Sequence, residues 1–139
     1  MTIAIVGRCA KTNMAGVAIT TSSIAVGSRC PYALAGAGAV TTQNITDPTI
    51  GPEVLARMAD GHSAEAAIAA AMKDRPYADY RQVAAVDLKG GTGVFTGDNI
   101  LGNNATNQGK DCVGAGNLLS RVEVIPAMTD AFEKGTDLH

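Results

Sequence analysis

Large aromatic side chains are scarce in this sequence, which has no tryptophan, two phenylalanines and three tyrosines in 139 residues. Hydrophobic residues still make up 46% of the chain, enough for the core of one domain spanning residues 1–139. The bulk of that core must come from Ile, Val, Leu, Met and Ala, and 16 glycines add further small positions. We therefore expect elements that approach closely instead of interlocking large side chains.

The sequence also lacks an excess of positive charge, a long apolar run and a cluster of cysteines. Its formal net charge is −2, which argues against a nucleic-acid partner or a polybasic membrane surface. No run approaches the ~18 apolar residues of a transmembrane helix, and no basic segment precedes the short apolar run at the N-terminus as in a signal peptide. The three cysteines, Cys9, Cys30 and Cys112, are scattered. This predicts reduced thiols in a cytoplasmic protein, with neither a zinc site nor a disulfide framework.

The most distinctive stretch is VAITTSSIAVGSRCPYALAGAGAVTTQ, over residues 17–43. Apolar runs typical of strands alternate there with clusters of Thr, Ser and Gly. The pattern predicts short strands that present small hydroxyl groups and bare backbone together. Such an arrangement suits a site that binds polar groups, and it equally suits a closely packed sheet with no chemistry.

Alternating apolar and polar residues predict two β-hairpins, one at the N-terminus and one after the middle of the chain. Further strands and loops are predicted around them. The predicted strands are residues 2–6, 16–21, 33–43, 82–87 and 92–96, and residues 24–26 are predicted as another short strand or a bent extension. The predicted loops and turns are residues 29–31, 47–49, 89–91 and 97–107.

Helical patterns are clearest between the two hairpins. Pro52 fits the first turn of one helix, and Gly61 its C-terminal stop. Ser63 is a good N-cap for a second helix over residues 64–73. A last helical region is predicted from residues 114–117 onwards, with Ser120 as a possible cap and Gly135 at its end. Strands, two helices, strands and a helix in this order predict an α+β fold, with antiparallel sheets covered by helices.

Several blocks of sequence resemble a known family in their order and spacing. They are MTIAIVGR, AVGSRCPYALAGAGAVTTQ, the helix start at Gly51 and Pro52, SAEAAIAAAM, AAVDLKGGTGVFTG, GAGNLLS and EVIPAMTDAFE. Over nearly the whole chain they are similar to the domain of unknown function 1028 family, which is grouped with the N-terminal-nucleophile (Ntn) hydrolases. The resemblance implies a four-layer αββα sandwich and leaves the substrate open.

The sequence departs from that family in two respects. Family members usually continue well past the position of His139, so the resemblance implies a sandwich that is incomplete in these residues alone. A short member, a truncated chain and one piece of a cleaved chain are the alternatives, and in each another chain would supply the missing layer. The family also often carries a histidine near the segment NNATNQG, where this sequence has Thr106.

The Ntn mechanism implied by the resemblance needs a Thr, Ser or Cys whose own α-amine is the base. Such an amine titrates near ~8, so it can accept the hydroxyl proton at neutral pH. Thr2 is the candidate nucleophile, because it becomes N-terminal if Met1 is removed and it starts the first predicted strand. The alternative is an ordinary strand-start threonine. The Asp and Lys of proteasome-like enzymes are absent from residues 18–31, where Arg29 is the only charge.

The candidate substrate-binding residues are small or polar side chains of the same stretch. Hydroxyl groups beside Thr2 would form a polar wall of the site. Glycine N–H groups would form an oxyanion site. Polar residues at a strand end would contact an amide or carboxylate of the substrate. Solvent-facing hydroxyls and closely packed glycines are the alternative interpretation. The residues concerned are Ser22, Ser23, Gly36, Gly38, Thr42, Gln43 and Asn44.

No metal or cofactor is predicted, because no His, Cys and carboxylate residues cluster in the sequence. His62 lies at a helix junction and His139 at the terminus, so a Cys-His or Ser-His-Asp arrangement is poorly supported.

The leading hypothesis is a hydrolase of a small amide or peptide-like bond with Thr2 as nucleophile. One alternative is a non-catalytic module for small-ligand binding or assembly. Another is the α-subunit of a longer processed chain, whose partner begins with the nucleophile. In each case we expect a small-molecule substrate or ligand and a homo-oligomer or second chain, because open sheet edges and an apolar face need cover.

Overall fold

The computed structural model describes residues 1–135 and places eight β-strands and three α-helices in that range. His139, named above for its terminal position, lies outside the described residues. The fold is α+β, as the sequence predicted. In chain order the elements are β1 (Thr2–Arg8), β2 (Ala15–Thr21), β3 (Pro31–Leu34), β4 (Gly38–Asn44), α1 (Ile50–Ala59), α2 (Ala64–Met72), β5 (Arg81–Asp87), β6 (Thr92–Thr96), β7 (Ala105–Gly109), β8 (Cys112–Asn117) and α3 (Val124–Lys134).

The strands form two four-stranded antiparallel sheets. The first has the order β2-β1-β8-β7 and the second the order β3-β4-β5-β6. The first strand of the chain is therefore central in its sheet, paired on one side with β2 and on the other with β8. Thr2 lies opposite Thr21 on β2 and opposite Asn117 on β8.

Small side chains let the two sheets pack on each other. Between the sheets lie Ala39, Ala84 and Ala115 with three valines, one of which is Val6. The other face of the second sheet packs against α1 and α2, while α3 packs on β7, β8 and β1 of the first sheet. This confirms the expected close approach, because neither phenylalanine and no tyrosine belongs to the fully buried core.

Two side chains accept hydrogen bonds from the first turn of α2. The hydroxyl of Ser63, the predicted N-cap, accepts the N–H of Ala66 at 3.2 Å. The first N–H of the helix, on Ala64, donates to Oδ2 of Asp87 at 3.1 Å. The other oxygen of Asp87 accepts the N–H groups of Lys89 and Gly91, both at 2.9 Å. This one carboxylate therefore joins α2 to the turn between β5 and β6.

Two predictions in the first half of the chain are wrong. Residues 24–26 are not a strand, because Ala25 adopts a left-handed conformation (φ 56°) and leads into a 3-10 turn at Val26–Ser28. The strand predicted at residues 33–43 is instead a hairpin of β3 and β4, which starts at Pro31. Its turn contains Gly36 at φ +83°, a conformation that favours glycine.

Two predictions in the second half are also wrong. The loop predicted at residues 97–107 contains the start of β7, and residues 114–117 belong to β8 and not to a helix. The glycines of β8 allow a helix to pack close. A Cβ on Gly114 would lie 3.0 Å from Ile125 of α3, and one on Gly116 would lie 2.8 Å from it. Ser120 is not the cap of α3, whose N-cap position is Glu123.

None of the helices within residues 1–135 is long and apolar enough to cross a membrane.

Candidate functional site

Thr2 lies at the start of the central strand of the first sheet, with its side chain directed toward the second sheet. Alternate residues of a strand point to opposite faces. Val6 packs between the sheets, whereas a Cβ on Gly7 would lie 2.5 Å from the ring of Phe132 on α3. Thr2 shares the face of Val6. Its Oγ1 lies 3.0 Å from Oγ1 of Thr21 on the neighbouring strand.

The backbone nitrogen of Thr2 faces the other neighbour, β8. The carbonyl of Met1 accepts the N–H of Ser22 at 3.1 Å, so it points toward the β2 side. In a trans peptide the following N–H points the opposite way, which directs the nitrogen of Thr2 toward Asn117, its partner in register. An α-amine on Thr2 would therefore sit beside β8, with the hydroxyl beside β2.

Three buried carboxamides, those of Gln43, Gln82 and Asn117, connect the two sheets next to Thr2; we call them the amide cluster. Nε2 of Gln43 and Nδ2 of Asn117 both donate to Oε1 of Gln82, at 2.8 and 3.2 Å. Nε2 of Gln82 donates to the carbonyl of Gly116 at 3.2 Å. All three side chains are at most 2% exposed. Oε1 of Gln43 has no hydrogen-bond partner within the described residues.

A second polar group follows the end of β2. The N-terminal ammonium of Met1 donates to the hydroxyl of Ser22 at 3.1 Å. The N–H of Ser23 donates to Oγ1 of Thr21 at 3.2 Å, and the hydroxyl of Ser23 accepts Nη2 of Arg29 at 2.7 Å. Ser23 thus links Arg29 to Thr21 through its hydroxyl and its backbone N–H, and Thr21 in turn contacts Thr2.

The two glycines predicted as oxyanion donors lie elsewhere. Gly36 is in the exposed turn before β4. Gly38 starts that strand with a φ of +145°, and a Cβ on it would clash with the carbonyl of Val86. Gln43 is five residues further along β4. At ~3.3 Å per residue, Gly38 is roughly 17 Å from the amide cluster, so the structure does not bring these glycines to Thr2.

Two other predicted residues flank Gln43 and have local partners. Oγ1 of Thr42 accepts the hydroxyl of Thr46 at 3.1 Å. The side chain of Asn44 donates to the carbonyl of Tyr80 at 2.7 Å and accepts the N–H of Leu101 at 3.2 Å. Both side chains therefore hold loops at this end of the second sheet.

Sequence reasoning missed Gln82 and Asn117. Gln82 stands directly before the apolar run VAAV of its strand, and a polar residue within a buried strand is a usable indication of a polar network. Asn117 gave no such indication, because the glycine-rich segment around it was assigned to the approach of a helix.

The two buried cysteines are not alternative nucleophiles. Burial raises the pKa of the Cys30 thiol. Burial, with the nearby carboxylates of Glu133 and Asp111, raises the pKa of Cys112 to about 11. Both thiols are therefore protonated near neutral pH and unreactive. Within residues 1–135, no three His, Cys, Asp or Glu side chains lie close enough together to hold a metal ion.

A cleft of about 620 Å³ lies beside the start of the chain, between β1 and the beginning of α3. Met1, Ile3, Leu119 and Val124 give it a largely apolar lining, and Arg121 and Glu123 add charge. Its volume is within the usual range for small-molecule sites. Because Met1 is part of the lining, the cleft reaches the residue next to Thr2.

The model of DUF1028, described as a family of unknown function, matches residues 2–139. The chain belongs to the DUF1028 family. This confirms the family expected from the sequence blocks. The DUF1028 chain is also similar to a solved structure, that of protein SPO2555 from Silicibacter pomeroyi, which carries the same family name.

The similarity to the Silicibacter pomeroyi protein covers 95% of this chain and 61% of that one, with 30% sequence identity and a TM-score of 0.91. This DUF1028 chain thus spans less than two thirds of its solved relative. A comparison with curated proteins gave no match.

Proposed function

We propose that this DUF1028 protein is an Ntn-type hydrolase of a small amide or peptide-like bond, with Thr2 as nucleophile after removal of Met1. The observation that carries the proposal is the placement of Thr2. It starts a central strand, its hydroxyl lies 3.0 Å from that of Thr21, and its nitrogen faces β8 beside the amide cluster. Nucleophile and base would then come from one residue held by two neighbouring strands.

The reaction would begin with transfer of the Thr2 hydroxyl proton to its own α-amine, while Oγ1 attacks the substrate carbonyl. Thr21 can orient Oγ1, since its own oxygen is held by the N–H of Ser23 at 3.2 Å. The protonated amine then gives its proton to the leaving nitrogen as the C–N bond breaks, which leaves an ester on Thr2. Water, activated by the same amine, hydrolyses the ester and restores Thr2.

We propose further that the two sheets and their helices form the αββα sandwich of the Ntn hydrolases. Its support is that α1 and α2 pack on the second sheet and α3 on the first. Gly16, Ala18 and Thr20, on the outer face of β2, are exposed. A second copy or another chain would cover this face, and a monomeric mass in light scattering would contradict that. We also propose a cytoplasmic location for the protein, where its three thiols would stay reduced.

The second candidate is a non-catalytic module that binds a small ligand or serves in assembly. One observation favours it. While Met1 is present, the nitrogen of Thr2 is in a peptide bond, and the ammonium of Met1 is bound to Ser22. The hydrogen-bond partner of the Thr2 hydroxyl within the described residues is another hydroxyl, so nothing there acts as its base.

The mass of the intact protein from its native host distinguishes the two candidates. Loss of Met1 is required for the hydrolase, whereas full retention of Met1 rules out the Thr2 mechanism. The direct test uses protein released from a cleavable fusion with Thr2 at its N-terminus. This protein is treated with panels of amides, lactams and esters and with a hydroxyl-directed covalent probe.

Thr2→Val removes the nucleophile at nearly constant volume. Thr20→Val is the matched control, because Thr20 is an exposed threonine on the outer face of the same sheet. Reaction of the Met1-free protein and the control, with none in Thr2→Val, supports the hydrolase. No reaction with any compound in the Met1-free protein overturns it.

A further inference from the structure

Arg29 differs from the paired arginines of this chain. Arg8, Arg57 and Arg75 each form an ion pair with a carboxylate. Within the described residues Arg29 contacts neutral acceptors: the hydroxyl of Ser23 and the carbonyl of Ile24, both at 2.7 Å, and the thiol of Cys30. A guanidinium has five N–H donors, so some of its donors remain available to another acceptor.

A second cation lies close by, on the adjacent serine. The ammonium of Met1 donates to Ser22 and the guanidinium of Arg29 to Ser23, whose Cα atoms are about 3.8 Å apart, as in any trans dipeptide. Since each hydroxyl oxygen accepts from a cation, each keeps its hydrogen to donate. While Met1 is present the group therefore offers donors and two positive charges, and after removal of Met1 the charge of Arg29 and the serine donors remain.

The part of the chain that carries this group has no acidic residue to neutralise its charge. The first acidic residue in the sequence is Asp47, and it is paired with Arg75 at 2.8 Å. Glu123 lines the cleft together with Met1 and has no ion pair with Arg29. An anion from solution would supply the missing negative charge.

We propose that Arg29, Ser22 and Ser23 form a binding site for the carboxylate of a small ligand, next to Thr2. If the proposed function holds, this site also defines the substrate class, and for that step the inference rests on the proposed function. The substrate would be an amide that carries a carboxylate a few bonds from the bond to be cleaved. The site adjoins Thr2, because Ser23 accepts from Arg29 and donates its backbone N–H to Oγ1 of Thr21, which lies 3.0 Å from Oγ1 of Thr2.

A carboxylate fits this group better than a neutral acceptor does. The planar fork of a guanidinium matches the two oxygens of a carboxylate, and hydrogen bonds between ionised groups are roughly twice as strong as neutral ones. Ser22 and Ser23 are exposed, so the site can be reached from solution, and its affinity will fall as salt screens the charges.

The test measures binding in protein that retains Met1, in which Thr2 cannot react, so that it does not depend on catalysis. N-acetylglycine, which has an amide and a carboxylate, is titrated by NMR and compared with its neutral analogue N-acetylglycinamide. We expect N-acetylglycine to shift the amide resonances of Ser22, Ser23 and Arg29, and the neutral analogue to leave them unchanged. Inorganic phosphate is titrated in parallel.

Arg29→Gln should weaken N-acetylglycine binding about tenfold, the loss of a charge-assisted hydrogen bond. Lys89→Gln, which removes the same charge from the distant and exposed turn after β5, should have no effect. Arg29 also holds its own loop, so its replacement can disturb the site indirectly. Ser23→Ala is therefore a second variant, which keeps the cation in place and should also weaken binding. Unchanged binding in both site variants overturns the proposal.

Three other outcomes also overturn the proposal. They are equal binding of the neutral analogue, binding of phosphate without N-acetylglycine, and no shifts with any compound. Failure of the proposed hydrolase function gives a different result from failure of the carboxylate site. In that case the Met1-free protein binds N-acetylglycine at this site and cleaves no amide.

Discussion

The hydroxyl groups of Thr2 and Thr21 lie 3.0 Å apart across β1 and β2. Oγ1 of Thr21 also accepts the N–H of Ser23 at 3.2 Å, so its position is fixed by the backbone that follows its own strand. The orientation of the candidate nucleophile therefore depends on a residue of the neighbouring strand.

The first prediction concerns this pair. In the Met1-free protein, Thr21→Val should slow covalent labelling of Thr2 about fivefold, because one orienting hydrogen bond of roughly 1 kcal/mol is lost while the volume is kept. Intact-mass spectrometry over time gives the rate. Thr20→Val, on the opposite face of β2, should leave the rate unchanged. An unchanged rate in Thr21→Val would show that Thr21 does not orient the nucleophile.

The second prediction concerns the amide cluster. Gln82→Met keeps the length of the side chain but leaves the amide donors of Gln43 and Asn117 without their common acceptor. Each unpaired buried polar group costs about 1–3 kcal/mol, so we expect the free energy of unfolding to fall by about 3 kcal/mol in urea denaturation.

The control for this prediction is the double variant Gln43→Met/Gln82→Met. Replacing both partners removes one of the orphaned donors, so the double variant should lose less stability than the sum of the two single variants. Additive losses would mean that the two carboxamides contribute independently, contrary to the shared acceptor.

The third prediction compares two strand glycines. A Cβ on Gly93 of β6 would lie 2.7 Å from the backbone nitrogen of Glu65 in α2, and backbone cannot move aside as a flexible side chain does. Gly93→Ala should therefore destabilise the protein by about 1–3 kcal/mol. Nothing lies within 4 Å of a Cβ on Gly16, so Gly16→Ala should not destabilise it. Equal stabilities in urea would contradict the close approach of α2 to β6.

The fourth prediction concerns the cysteines and pH. Hydrogen bonds from Thr12 lower the pKa of Cys9, whereas that of Cys112 is raised to about 11. The thiolate is the reactive form, so a lowered pKa increases reactivity at a given pH and a raised one decreases it. At about pH 8, iodoacetamide should modify Cys9 first and Cys112 only after unfolding, as peptide mapping by mass spectrometry would show. Cys9→Ser should abolish the fast phase, and rapid modification of Cys112 in the folded protein would contradict its burial.

Local patterns sufficed to predict the N-terminal hairpin, the second hairpin and the cap of α2. Each depends on residues close in sequence, such as Ser63 and Ala66. β8 could not be predicted in this way. Gly114 and Gly116 were predicted to lead into a helix, whereas in the structure they are strand residues against which the side chain of Ile125 packs. That contact is tertiary and leaves no local pattern.

The site was predicted only in part for the same reason. The hydroxyls of Ser22 and Ser23 are near Thr2 through the hairpin, and a hairpin can be predicted from sequence. The amide cluster joins residues from three strands in two sheets, so Gln43 could be named as a strand-end residue but not matched with Gln82 and Asn117. Gly36 lies in the turn before β4 and Gly38 at the start of that strand, far from the end that carries Gln43, and the position of this turn depends on the pairing of β3 with β4.

The central position of β1 has a consequence for synthesis of the protein. Its partner β8 begins at Cys112 and leaves the ribosome long after β1. Until then the start of the chain is not enclosed in its sheet, and an aminopeptidase can reach Met1. Once the sheet has formed, Met1 is still 45% exposed and its ammonium donates to the exposed hydroxyl of Ser22. We therefore expect an aminopeptidase to reach Met1 both during synthesis and in the folded protein.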